Sequence, residues 1–261
     1  MKNTALSNCV IHPEISAEQF VEKHTFVFLV KGLINGFDGN KTYPLKAGEC
    51  CVVVKNHLQR HNKQWVNDEF EKIVIEFEDE FLLKFKKKYN PEIGRNQNKS
   101  TFICLPKSEL FTSFILSLIP YYKGHNELEP KYELIKKEEL LMLLLDIKPE
   151  LNAILFDFGM PQKIDIESFM QRNYRFNVSV EKMAFLTGRS LSSFKRDFKD
   201  VFDSTPVKWL VQRRLEEAHF LLEKKKQKPS EIYLDLGFED LSHFTYAFRK
   251  KYGYTPATVA K

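Results

Sequence analysis

Cysteine is scarce: there are four in 261 residues, Cys9, Cys50, Cys51 and Cys104, and no C-x-x-C among them. That usage excludes a zinc finger and a disulfide-stapled secreted scaffold, and leaves free thiols as the plain reading. Long apolar runs are also missing. The longest, Leu140 to Leu145, is six residues, against the ~20 a membrane-spanning helix needs. No membrane partner is expected. Met1 to Cys9 lacks the apolar stretch of a secretory signal, which points to the cytoplasm. With only ten glycines the chain is not collagen-like, and no P-loop, dinucleotide fingerprint or Ser-His-Asp signature is found. What remains is a globular composition, 43% apolar and 29% charged, long enough for one large domain or two ordinary ones.

The net charge of +5 is unevenly spread. From Lys163 to Lys261 there are 19 Lys and Arg against 13 Asp and Glu; from Met1 to Gln162 there are 21 against 22. The whole excess lies in the last hundred residues, as expected where a chain meets a polyanion. An ordinary solvated surface gives the same balance, so the pattern inside the segment decides.

That pattern is a repeat. Phe194, Phe198, Lys199, Phe202, Thr205 and Pro206 recur fifty residues on as Phe244, Phe248, Arg249, Tyr252, Thr255 and Pro256, and Gly188 and Gly237 stand upstream of each copy. Each copy reads as helix, tight turn, helix. In the first, Ser179 caps a helix bearing Val180, Met183, Ala184 and Phe185, and Gly188 stops it with positive φ. Ser190 caps the next, whose Leu191, Phe194, Phe198 and Phe202 form one inward stripe. Ser192, Lys195, Arg196 and Lys199 share the opposite face. In the second copy Ser230 to Leu236 is the supporting helix and Leu241, Phe244, Phe248 and Tyr252 the inner stripe, with Ser242, His243, Thr245 and Tyr246 outside. Between the copies Thr205 caps and Pro206 opens a helix to about Leu222. Helices of this width fit the ~12 Å major groove, and two held by one spar would enter grooves ~34 Å apart. A plain helical bundle with a polar exterior is the competing reading.

These residues resemble the DNA-binding domain of the AraC/XylS family of bacterial transcription regulators. Pro206, Trp209-Leu210, Arg214-Leu215, Ala218 and Leu221-Leu222 match one motif of that family. Gly237-Phe238, Phe244, Phe248-Arg249-Lys250, Tyr252-Gly253 and Thr255-Pro256 match the other. The resemblance implies base contacts from Ser192, Lys195, Arg196, Ser242, His243 and Tyr246, and phosphate contacts from Arg213, Arg249 and Lys250. Asp203 departs from the usual glycine and Tyr233 from the usual alanine. Tyr246 stands where a longer polar or basic residue is common, which makes the second unit the less stringent reader.

Up to about Glu78 the chain alternates short β-branched and aromatic runs (Thr25 to Val30, Cys50 to Val54, Phe70 to Phe77) with turns such as Gly36 to Asn40, the pattern of a small antiparallel sandwich or barrel. Leu45 to Glu49 resembles the turn of the cupin-like barrels that sense signals in the same family. Metal cupins open with H-x-H; here only His57 and His61 approach that, four apart, which on one strand would face the same side. No metal or cofactor is expected. From Phe81 the text turns helical. Pro106 to Tyr122 and Lys131 to Ile147 carry wide apolar stripes, the latter apolar almost all round at its end, as for burial on more than one side. These helices either pack on the barrel or also pair with a second copy of the chain. Lys137 to Leu144 resembles a segment of the family's type III secretion activators, which implies a protein rather than a sugar as signal.

The expectation is an α+β chain. Residues 1–158 form a cupin-like β-barrel with following helices, for sensing or dimerisation, and residues 164–261 an all-α domain of two helix-turn-helix units joined by a helix. It reads double-stranded DNA in adjacent major grooves as a transcription activator and engages RNA polymerase. It forms a homodimer through N-terminal helices, under a small-molecule or protein effector. A metal-dependent cupin enzyme with a helical appendage and a protein-interaction module without DNA affinity are the alternatives.

Overall fold

The computed structural model describes residues 4–7, 19–94, 100–121 and 128–259; Cys9 and Tyr122 lie outside them. The chain divides between Gly159 and Met160 into two compact units.

In the first unit, β1 (Thr4–Ser7), β9 (Glu71–Phe77), β3 (His24–Lys31), β6 (Cys50–Val53) and β10 (Phe102–Cys104) form, in that order, an antiparallel sheet. A second sheet has the order β5 (Thr42–Lys46), β4 (Leu33–Phe37), β8 (Arg60–Gln64), and β2 (Phe20–Val21) pairs with β7 (His57–Leu58). The fold is thus the expected mixture of antiparallel sheets and helices, with the ladders grouped in three sheets among the described residues. Turn chemistry sets the hairpins. The Asp38 carboxylate accepts from the Asn40 and Lys41 amides at 2.9 and 2.8 Å and so bends β4 into β5, as Asx turns do. Glu49 does the same for the Lys46 amide at 2.9 Å.

Strand β6 is buried at all four positions, and this explains its unbroken Cys-Cys-Val-Val text. Its two faces enter different cores. Cys50, Val52 and Val54 join Phe26, Ile75 and the helices, whereas Cys51 and Val53 join Ile34, Leu45 and Phe102 from the smaller sheet and β10. The helices are α1 (Asp79–Tyr89), α2 (Glu109–Leu118), α3 (Pro130–Ile147) and α4 (Leu151–Leu155). Helix α2 starts three residues later than Pro106 because Ser108 is its cap, accepting from the Leu110 amide at 3.2 Å. The apolar end of α3 is buried on one side only: Leu140, Leu141 and Leu144 are in the core, Leu143 and Leu145 lie at its edge, and Met142 is exposed. Lys137, also buried, bonds Glu78 and Glu133 at 3.0 and 2.9 Å.

The second unit is all helical: α5 (Ile166–Asn173), α6 (Val180–Leu186), α7 (Leu191–Phe202), α8 (Pro206–Lys225), α9 (Pro229–Ile232), α10 (Leu241–Tyr252) and α11 (Pro256–Val259). Two cores divide it. Met170, Met183, Phe194, Phe198 and Leu210 form one; Leu215, Leu222, Ile232, Phe244 and Phe248 form the other. Helix α8 contributes to both and is therefore the common spar.

Candidate nucleic-acid interface

The two helix-turn-helix units repeat in hydrogen bonds as well as in letters. In the first turn the amides of Thr187, Gly188 and Arg189 donate to the carbonyls of Met183, Phe185 and Ala184; in the second, those of Leu236, Gly237 and Phe238 donate to Ile232, Leu234 and Tyr233. These three bonds recur at an offset of 49. Both glycines have positive φ, +67° and +82°, a region that other residues enter at a cost. A Cβ on Gly188 would overlap the Gln162 backbone, and one on Gly237 would stand 2.6 Å from the Arg175 carbonyl.

Helices α7 and α10 start alike. The Ser190 side chain accepts from the Ser193 amide at 3.3 Å, and Asp240, fifty residues on, accepts from the His243 amide at 2.6 Å. Asp240 followed by an apolar-periodic run is a capping signal at the level of sequence too. Phe194 and Phe198, and likewise Phe244 and Phe248, are wholly buried, and their rings run on in tilted and edge-on contacts to Phe202 and Tyr252. Burying one stripe this firmly fixes what the other side presents. Ser192, Lys195, Arg196 and Lys199 are exposed on α7; Ser242, His243, Tyr246, Arg249 and Lys250 are exposed on α10, Tyr246 to 67%. Leu241, expected in the inner stripe, is exposed as well. Both sets are thus brought together on the solvent side of their helices.

Three local expectations need correction. Thr205 occupies the cap position of α8, but its side chain makes no cap bond, and Pro206 alone marks the start. The supporting helix of the second unit is a single turn, Pro229–Ile232, continued by turns to Gly237, because the chain must tighten there to close the bonds named above. His57 and His61 lie on different strands, β7 and β8, in different sheets, and do not form a pair on one strand.

Arg213 and Arg214, adjacent in sequence, part company. Arg213 is half-buried, 4.6 Å from the Tyr174 ring centroid and 3.9 Å from Glu217. Arg214 is only 7% exposed. Its guanidinium donates to the carbonyls of Tyr174, Phe176 and Gly237 at 2.7, 2.8 and 2.8 Å. Burial pulls its pKa down to about 10, so it stays cationic at neutral pH. It sits where the two helical cores meet and joins the first helix-turn-helix copy to the turn of the second copy. Beside the exposed Arg196 lies Asp197, bound at 3.0 Å by Arg189, whose hydrogen bond holds the carboxyl below its usual range. Arg189 also donates to the Ile164 and Thr187 carbonyls at 2.8 and 2.7 Å, bracing the turn.

The first unit contains a cavity of about 370 Å³ walled by both larger sheets, among its lining Val27, Ile34, Leu45, Val53, Val74 and Phe102. Its polar lining includes Lys72, Glu76 and His61. Burial, then the charges of Lys72 and Lys63, push the His61 ring down to about 3, so it faces the space uncharged at neutral pH.

Comparison with known proteins matches one family within each unit. Residues 24–154 match the family described as the ExsA N-terminal regulatory domain, and residues 183–261 match a helix-turn-helix domain family. Among curated relatives, the virulence regulon transcriptional activator VirF of Yersinia enterocolitica is 32% identical over 47% of this chain and 46% of its own length. The HTH-type transcriptional regulator ExsA of Pseudomonas aeruginosa is 29% identical over 51% and 48%. The chain spans about half the length of the curated relatives it matches. Among solved structures, an apo form of ToxT from Vibrio cholerae aligns over 99% of this chain and 93% of its own, with a TM-score of 0.47 at 14% identity. With half of its residues matched by the first of these families, the chain belongs to the AraC/XylS family of transcription regulators and carries the ExsA type of N-terminal regulatory domain.

Proposed function

We propose that the chain is a sequence-specific DNA-binding transcription activator of the cytoplasm, with α7 and α10 as its reading helices and no enzymatic role. The observation that carries this reading is the matched exposure on two copies of one unit. Each buries an aromatic stripe and turns short polar and cationic groups outward, Ser192, Lys195 and Arg196 on one and Ser242, His243 and Tyr246 on the other. Lys and Arg pair with guanine edges and Ser with either donor or acceptor, so these six contact bases. Arg213, Arg249 and Lys250 contact phosphates and set register. In adjacent major grooves the two helices serve one continuous site, leaving the exposed remainder of the molecule to meet RNA polymerase.

The first unit controls the second. Leu134, Ile135 and Met142 are exposed along α3, at the helical spacing of a pairing seam, and this supports a homodimer formed through N-terminal helices. The effector is a small molecule in the sheet cavity or a protein on the helices.

Binding of the full chain to specific and random duplexes across a salt series tests the reading. It predicts preference for a selected sequence and a linear log–log fall in affinity with salt, with a slope of ~0.9 for each phosphate neutralised. Absence of affinity for any duplex would favour the protein-interaction alternative.

A further inference from the structure

Strands β6 and β10 pair with Phe102 opposite Val53, Ile103 opposite Val52 and Cys104 opposite Cys51. The hydrogen bonds of this ladder settle which rungs are which. The Val54 amide donates to the Thr101 carbonyl at 2.9 Å, and the Leu105 amide to the Cys50 carbonyl at 3.1 Å. Bonded rungs alternate with non-bonded ones. Cys51 and Cys104 therefore face each other across a non-hydrogen-bonded rung, where Cα atoms are only ~4.5 Å apart and side chains are closest. A disulfide requires Cα atoms roughly 4.4–6.8 Å apart, a range that the spacing of such a rung meets. Both thiols are free and both belong to the wall of the sheet cavity.

Packing accounts for one of them. Cys51 is buried among Val53 and Phe102, where a free cysteine serves as a small apolar side chain. Cys104 is exposed, so its place opposite Cys51 is not explained by filling a core. The neighbouring Cys50 faces the other core, with Val52 and Ile103, and is turned away from Cys104 by the strand's alternation.

We propose that Cys51 and Cys104 are a reversible redox pair, which hydrogen peroxide oxidises to a cross-strand disulfide at the cavity wall. The exposed Cys104 is the first to react. Its thiolate Sγ attacks one peroxide oxygen; an S–O bond forms, the O–O bond breaks, and the departing hydroxide takes up the proton the thiol released and leaves as water. Cys104 is now a sulfenic acid, oxidised by two electrons, and the peroxide is reduced. Cys51 Sγ then attacks Cys104 Sγ; the S–S bond forms, the S–O bond breaks, and hydroxide leaves with the Cys51 proton as a second water. Two thiols and one peroxide give one disulfide and two waters. Burial raises the Cys51 thiol far above its ordinary pKa, which makes the second step the slow one. The bond ties β10, an edge strand of the five-stranded sheet, to β6. Disulfides of intracellular proteins are of this transient, signal-bearing kind, and a thiol reductant restores the pair.

The test is peroxide treatment of the full chain, alkylation of remaining thiols without reduction, and peptide mapping by mass spectrometry. The expected product is one intrachain cross-link between Cys51 and Cys104, lighter by two hydrogens and reversed by dithiothreitol. It persists in Cys50→Ser and Cys9→Ser and is lost in Cys104→Ser, a substitution at an exposed site that leaves the fold intact. In Cys51→Ser, or at early times in the unaltered chain should that variant not fold, dimedone captures Cys104 as its sulfenic acid. A cross-link from Cys104 to Cys9 or Cys50, a cross-link between chains, or Cys104 carried on to sulfinic acid while Cys51 stays alkylatable would each overturn the proposal.

Discussion

The Arg214 guanidinium donates to the Gly237 carbonyl at 2.8 Å, and a Cβ on Gly237 would lie 2.9 Å from the Arg214 Cζ. Each residue thus needs the other: the side chain closes onto the turn, and the turn is bare so that it can. Replacing Arg214 with Ala strands three buried carbonyls and opens a void at the meeting of two cores. We expect a loss of about 3 kcal/mol or more in urea unfolding. Arg214→Lys should recover only part of it, since an ammonium cannot reproduce the planar fork.

Asp203 ends α7 with φ +46°, fifty residues before Gly253 ends α10 with φ +83°. Glycine is the ordinary residue for that conformation. Asp203→Gly is therefore expected to stabilise the chain, by about 0.5–1 kcal/mol, as a rise in the denaturation midpoint without change in slope.

His24 is wholly buried in β3, accepts the Lys55 amide at 3.3 Å through Nδ1 and has Nε2 without a partner among the described residues. Burial, then the charges of Lys55 and His57, push the ring down from its ordinary 6.5 to about 3. Between those values the unfolded chain binds a proton that the folded chain refuses. Stability therefore increases with pH across that window and is lost as pH falls from 6.5 toward 3. Each extra proton is worth about 1.4 kcal/mol per pH unit. His24→Asn, which keeps the acceptor and cannot titrate, should flatten the slope of unfolding free energy against pH below 6.5.

Lys195→Ala and Arg196→Ala should relax base preference, at about 1–3 kcal/mol for the base read. Lys250→Ala should weaken every duplex alike and reduce the salt slope by ~0.9. Competition binding against single-base variants of a selected site separates the two outcomes. Equal losses on specific and random duplexes for all three would refute the assigned roles.

Much of the second unit was legible because its signals are local. The Ser179 and Ser190 caps, the stop at Gly188 and the four-residue spacing of Phe194, Phe198 and Phe202 each act within a turn or two of helix. What escaped depends on distant partners. The four-residue stripe of Leu210, Ala218 and Leu222 already places Arg214, and not Arg213, on the inward face of its helix, but only Tyr174, forty residues earlier, and Gly237 show what its guanidinium binds there. The rung shared by Cys51 and Cys104 is a matter of strand register across fifty residues, and the parting of His57 from His61 depends on which sheet each strand joins. In the first unit the Cys50 to Val54 run marked a strand, but not that its alternate residues serve two cores.

Selection of binding sites from random duplexes by the full chain, followed by guanine methylation interference, tests the account most directly. Two clusters of interference in the major groove, centred about one helical turn (~34 Å) apart, with the cluster assigned to α7 vanishing in Arg196→Ala, are the predicted result. A single cluster, or two that both survive loss of Lys195 and Arg196, would contradict it.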